Sequence, residues 1–220
     1  MNFISLPTEQ TTAITDLLLA FVSLTLCILF RETTHGAENK KVLFWTGIFG
    51  FLAIASLLGA FVHGITLKEN DKEILWHIIN FCLGSTVAFF ILAVLFDLNH
   101  RFITIPVVIA VLFSSLIFFT ITLFSQGSFL IFILYESGAM LFALSGYLYL
   151  AVKRKSKFAR LMVTGILISI LASVIQATGF LKLHLVWDFD HNGLFHISQI
   201  PGLFFLYKGL KTETRLKNRN

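Results

Sequence analysis

Seven apolar runs, almost free of charge and separated by short polar links, set what this chain can become. They cover residues 11–30, 42–66, 74–96, 102–124, 129–152, 160–182 and 193–210. A bilayer core of roughly 30 Å takes about 20 apolar residues per helix, and within it the backbone must satisfy its own hydrogen bonds. With a mean hydropathy of +0.84 and 25 Phe in 220 residues, the composition lies far from that of a soluble domain. The expected fold is all-α: a polytopic membrane protein forming one seven-transmembrane helix bundle. The longest link, 31–41, leaves no room for a soluble domain, so residues 1–211 read as a single transmembrane domain and 212–220 as a basic tail.

The first run has no Lys or Arg ahead of it and carries Glu9 and Asp16. It therefore reads as a retained helix rather than a signal peptide. Basic residues prefer the cytoplasmic side. Arg31, Lys40, Lys41, Arg101, Lys153, Arg154, Lys155, Lys157, Arg160, Lys208, Lys211, Arg215, Lys217 and Arg219 all fall at one end of the bundle, leaving Lys68, Lys72 and Lys182 for the other. This places the N-terminus outside and the C-terminus in the cytoplasm of a cell membrane. The net charge of +5 is then explained by topology and anionic headgroups rather than by a nucleic-acid partner. Cys27 and Cys82, near opposite faces, read as small buried hydrophobes.

Polar side chains concentrate toward the outer half. The stretch Trp187–Gln199, WDFDHNGLFHISQ, holds two carboxylates, two histidines, an amide Asn and a Gln at the opening of the last run. His63, His77, His184, His191 and His196 lie in that half, with Asp16, Asn80, Glu136, Gln176 and Gln199, whereas His35 and His100 are cytoplasmic. Glu136, seven residues past Phe129, is about 10 Å into the core, where an acid should face the bundle interior. The expectation is a polar cavity opening to the outer side. Pro201 and Gly202 should kink the last helix.

Neutral imidazoles offered by neighbouring helices at one depth are what a zinc site in a bundle uses. His63 and His196 meet that requirement. His191 and His196 are five apart, about 140° around a regular helix, so both reach one ion only if the helix starts after His191. Asp188 and Asp190 could cap that helix or orient a ligand.

On these residues the chain resembles the superfamily of seven-helix membrane hydrolases that includes alkaline ceramidases and the progestin and adiponectin receptors. The resemblance lies in SLLGAFVHG, Ser56–Gly64, and in HNGLFH at the start of the seventh helix. It implies a zinc held by one His of helix two and an H-x-x-x-H pair of helix seven, with a Ser and an Asp near the metal-bound water. Carried over, His63 and His196 match ligands and Ser56 the serine. Ser56 stands seven rather than four positions before the His, Asn192 replaces the first His of the pair, and helix three offers His77 and Asn80 in place of an acid.

The leading expectation is a zinc-dependent intramembrane hydrolase acting on a lipid amide or ester. His63, His191 and His196 would hold the metal, and His77, Asp16, Ser56 and Asn192 would position water or move protons. Two rival expectations stand beside it. One is a haem electron-transfer protein ligated by two of His63, His77 and His196; the other is a receptor whose pocket binds a lipid-like ligand without chemistry.

Overall fold

The structure is a computed structural model that describes residues 2–34, 40–125 and 129–217. His35 and Arg219 lie outside these residues. Its helices are α1 Pro7–Thr33, α2 Lys40–Gly64, α3 Glu69–Leu98, α4 Ile105–Phe124, α5 Phe129–Lys153, α6 Lys157–Thr178 and α7 His191–Lys217. The first six are long and apolar enough to cross a membrane, the make-up of a multi-pass membrane protein. The seventh falls outside that set because its 27 residues include two His, Lys208, Lys211 and Glu213. A short antiparallel ladder joins Leu183–His184 to Asp188–Phe189. Beside the start of α1, Phe3 bridges Ile65.

Local chemistry explains where the ends depart from the apolar runs. Pro7 and Pro106 occupy the first turns of α1 and α4, where a missing N–H costs nothing. The fourth helix starts at Ile105 rather than 102, because His100–Phe102 forms a separate 3-10 turn with Asn99 accepting from the Arg101 N–H. Helix α6 stops at Thr178, short of 182, where Gly179 turns left-handed (φ 66°). Helix α7 begins at His191 itself, not after it, and runs past 211 to Lys217, so residues 212–217 continue the helix. Pro201 sits inside it.

Six helices close a ring in the order α1, α2, α3, α5, α6, α7 and back to α1, while α4 leans on the outside of α3. Of the 20 residues of α4, Phe118 and Thr122 are the buried ones; Val108, Val111 and Ser114 pack half-buried against the bundle, and side chains such as Ile109, Leu112, Phe113 and Leu116 are left for lipid. The ring's inner half is packed solid around Trp45, Phe49, Leu92, Tyr147, Met162 and Ile166. Trp45 meets Phe90 edge-on, ring centroids 5.9 Å apart. Large side chains such as Phe21, Phe113, Leu141 and Leu171 point outward, as lipid-facing positions do.

Small residues set the closest helix approaches. At Gly47 an added Cβ would lie 2.9 Å from the Phe89 ring, and at Gly165 it would lie 2.9 Å from the Gly202 carbonyl on α7.

At the end carrying most of the basic residues, Lys41 is buried. Its Nζ lies 2.5 Å from Asp97 Oδ1, also bonds Glu213, and stands 4.2 Å above the Phe158 ring. Tyr147 donates to the other Asp97 oxygen at 2.8 Å. One cluster thus ties α2, α3, α5, α6 and α7 together.

Candidate functional site

Inside the ring lies a cavity of about 830 Å³. All seven residues singled out as metal ligands or catalytic groups (Asp16, Ser56, His63, His77, His191, Asn192 and His196) stand in its wall. These groups therefore share one polar cavity, and what remains is how their atoms face one another.

The rim is formed by the first turns of α3, with Glu69, Lys72, Glu73, Trp76 and His77. His77 Nε2 is 3.9 Å from Glu73 Oε1, one turn back on the same helix. His63, at the end of α2, turns Nδ1 to Glu9 Oε2 at 2.6 Å and meets the edge of Trp76. Glu9 reaches it because the N-terminal segment is laced to the end of α2: Ile4 N–H donates to Gly64 and Thr66 N–H to Asn2. His191 is the first residue of α7 and lines the same rim region.

An upper polar tier follows. Thr11, Thr12, Thr15 and Asp16 are the buried face of α1's N-terminal turns, the spacing a single helix face requires. His196 bridges two of them, with Nδ1 3.2 Å from Thr15 Oγ1 and Nε2 3.3 Å from Asp16 Oδ1. Thr15 Oγ1 also lies 2.9 Å from the Thr12 carbonyl, so the hydroxyl stands between the α1 backbone and the imidazole. Asp16 fits here because α2 presents Gly59, where an added Cβ would be 2.6 Å from Asp16 Oδ2. Changing Gly59 to Ala should turn the carboxyl away and break its contact with His196. A cost of about 1 kcal/mol is expected in thermal unfolding, and a Gly59→Ala protein as stable as wild type would show that the contact contributes nothing.

Helix α7 is held at its start by Asp190, which accepts from Gly193 N–H and from Thr12 Oγ1, both at 2.9 Å. Asp188 instead pairs with His184 across the short ladder, away from the cavity. Asn192 accepts from Gln176 Nε2 at 3.3 Å.

One helical turn deeper is a second tier. Glu136 of α5 accepts from Ser173 of α6 at 3.1 Å, and Gln199 lies one turn below His196. Gln176 Oε1 and Gln199 Oε1 are buried with no partner. Below them Phe90, Leu203 and Leu206 make an apolar floor.

The zinc arrangement drawn from the sequence requires donor atoms to meet, not merely to share a wall. His63 Nδ1 is held by Glu9, and both ring nitrogens of His196 are engaged by α1. Among the described residues no three His, Cys, Asp or Glu are grouped as a metal site would need. The described cysteines, Cys27 and Cys82, are free. Sequence reasoning passed over Thr15, Glu9 and Ser173 as partners, and their signal was weak, since a Thr or Ser in an apolar helix gives no hint of which helix it faces.

No curated protein and no solved structure gives a significant match to the chain. Its residues 11–215 match one family across nearly the whole bundle, and the chain belongs to that family, DUF6962, a family of unknown function.

Proposed function

We propose that the chain is a seven-helix membrane protein, N-terminus outside and C-terminus cytoplasmic, that binds an amphiphilic, lipid-like molecule inside the ring. The observation that carries this reading is a cavity of about 830 Å³ with two polar tiers above an apolar floor. That size falls in the range of small-molecule pockets. Orientation rests on the basic residues gathered at the end of the ring opposite the cavity mouth. Trp187, exposed at the tip of the α6–α7 link, suits the outer interface.

Filling the cavity tests the binding. Ala139, buried in the α5 wall, should be changed to Trp. Extraction and mass spectrometry of the purified wild type should find a co-purifying amphiphile that the Ala139→Trp protein has lost. Equal recovery from both proteins, or none from either together with no thermal shift from any single-chain amphiphile, would remove the proposal.

Hydrolysis in the same cavity is a second reading, favoured by the Asp16–His196 pair, which sets a proton-carrying imidazole beside a carboxyl in a water-poor wall. Metal analysis and an absorption spectrum of protein purified without chelators test the zinc and haem versions of the chemistry. Stoichiometric zinc that disappears in a His63→Ala, His196→Ala protein would restore the zinc-hydrolase expectation. A Soret band would point to haem, and neither would leave binding without a metal.

A further inference from the structure

The lower polar tier has an unbalanced chemistry. Glu136 is buried, gives Oε2 to the Ser173 hydroxyl, and receives no other hydrogen bond from the described residues. Nearer the mouth, Gln176 spends its amide N–H on Asn192 in the first turn of α7 and leaves Oε1 buried and unpaired. Gln199, 7% exposed and lining the same cavity, likewise leaves Oε1 without a donor. The tier therefore offers acceptor oxygens, and the donors beside them, the Gln199 amide N–H groups and the unpartnered Ser169 hydroxyl, carry no charge. Among the described residues, Lys72 at the rim is the one Lys or Arg in the cavity wall, several turns away along α3 and its neighbours.

Two physical arguments say what would complete it. A buried acceptor with no donor costs about 1–3 kcal/mol, and two such amide oxygens belong to side chains of different helices that line one cavity. A carboxyl in a water-poor interior is satisfied by a proton or by a cation beside it. A group supplying several N–H donors and a positive charge answers both demands. A hydroxyl answers the first in part and the second not at all. The apolar floor immediately below gives a hydrocarbon chain attached to that group a place to lie.

We infer that Glu136, Gln199 and Gln176 form a headgroup subsite for a protonated primary amine carried on a single hydrocarbon chain. This deepens the amphiphile reading and rests on it. The ammonium sits between the Glu136 carboxylate and the two amide oxygens, and the chain runs inward past Leu203.

Paired probes of equal length test the assignment: dodecylamine and dodecanol, titrated into the detergent-purified full chain below their micelle concentrations and read as thermal shift. Dodecylamine should bind at least about tenfold more tightly, as a charge-assisted hydrogen bond implies. The preference should collapse in Glu136→Gln, which keeps size and removes charge, while dodecanol binding stays within a few-fold. If Glu136→Gln fails to fold, Gln199→Leu should lower amine binding without altering that of the alcohol. In Ala139→Trp both shifts should vanish, which separates the cavity from unspecific effects of an amine on detergent. Equal binding of amine and alcohol overturns the subsite and leaves the amphiphile reading standing, as does an amine preference unchanged in Glu136→Gln. Binding of neither probe removes the cavity reading itself.

Discussion

A Lys41→Ala protein should unfold far more easily than wild type, losing about 3–5 kcal/mol, the cost of breaking a buried ion pair from one side. Lys41 is 5% exposed, and its ammonium is held by Asp97 and Glu213 and capped by the Phe158 ring. Removing it leaves Asp97 buried with Tyr147 as its remaining hydrogen-bond donor among the contacts described above. Because the cluster joins five helices of the ring at the end opposite the cavity mouth, the loss should be cooperative. Lys41→Met, which keeps the hydrocarbon stem, should lose nearly as much if charge is what matters. Thermal unfolding in detergent reads both variants. A Lys41→Ala loss of under about 0.5 kcal/mol, the range of a surface substitution, would show that the cluster does not hold the ring closed.

Gly165→Ala should be the costliest glycine change, at about 1–3 kcal/mol, the range for overpacking a tight contact. An added methyl would lie 2.9 Å from the Gly202 carbonyl and 2.8 Å from Leu206 Cδ2. The carbonyl belongs to α7's backbone and cannot turn aside, so α6 and α7 must separate. At Gly59 the obstacle is the end of the Asp16 side chain, which can rotate, and the expected cost is smaller. Gly50 has nothing within 4 Å of an added Cβ. Gly50→Ala should therefore be neutral or stabilise by up to about 1 kcal/mol through helix propensity. If Gly50→Ala costs as much as Gly165→Ala, close approach of α6 and α7 is not what these glycines provide.

How much of this was legible beforehand can be followed residue by residue. Six of the helices were visible because apolar runs of membrane length admit one regular structure, and their ends moved by a few residues where Pro7, Gly179 and the 3-10 turn before α4 decided them. Convergence on one cavity was visible too, because an Asp, a Glu or a His within such a run has nowhere favourable to go but inward. Pairing within the cavity was not. His63 and His196 each looked like half of a metal site, yet His63 turns to Glu9 and His196 to Thr15 and Asp16. Lys41 counted as one basic residue of a cytoplasmic link, and it proved to be the buried centre of a charge cluster.

The amino-acid pattern by itself determined that the chain is helical, built for a membrane, and polar on the inside of one half. Length and hydropathy are properties of single segments, and the bilayer acts on each segment separately. Which side chains meet depends instead on how each helix is rotated about its axis and which helices adjoin. A change of rotation of a few tens of degrees exchanges one partner for another. The tertiary structure decided that α4 stands outside the ring, that α1 rather than α2 supplies the partners of His196, and that Glu136, Gln176 and Gln199 line one cavity. Those juxtapositions cross between helices far apart in the chain, and no local pattern encodes them.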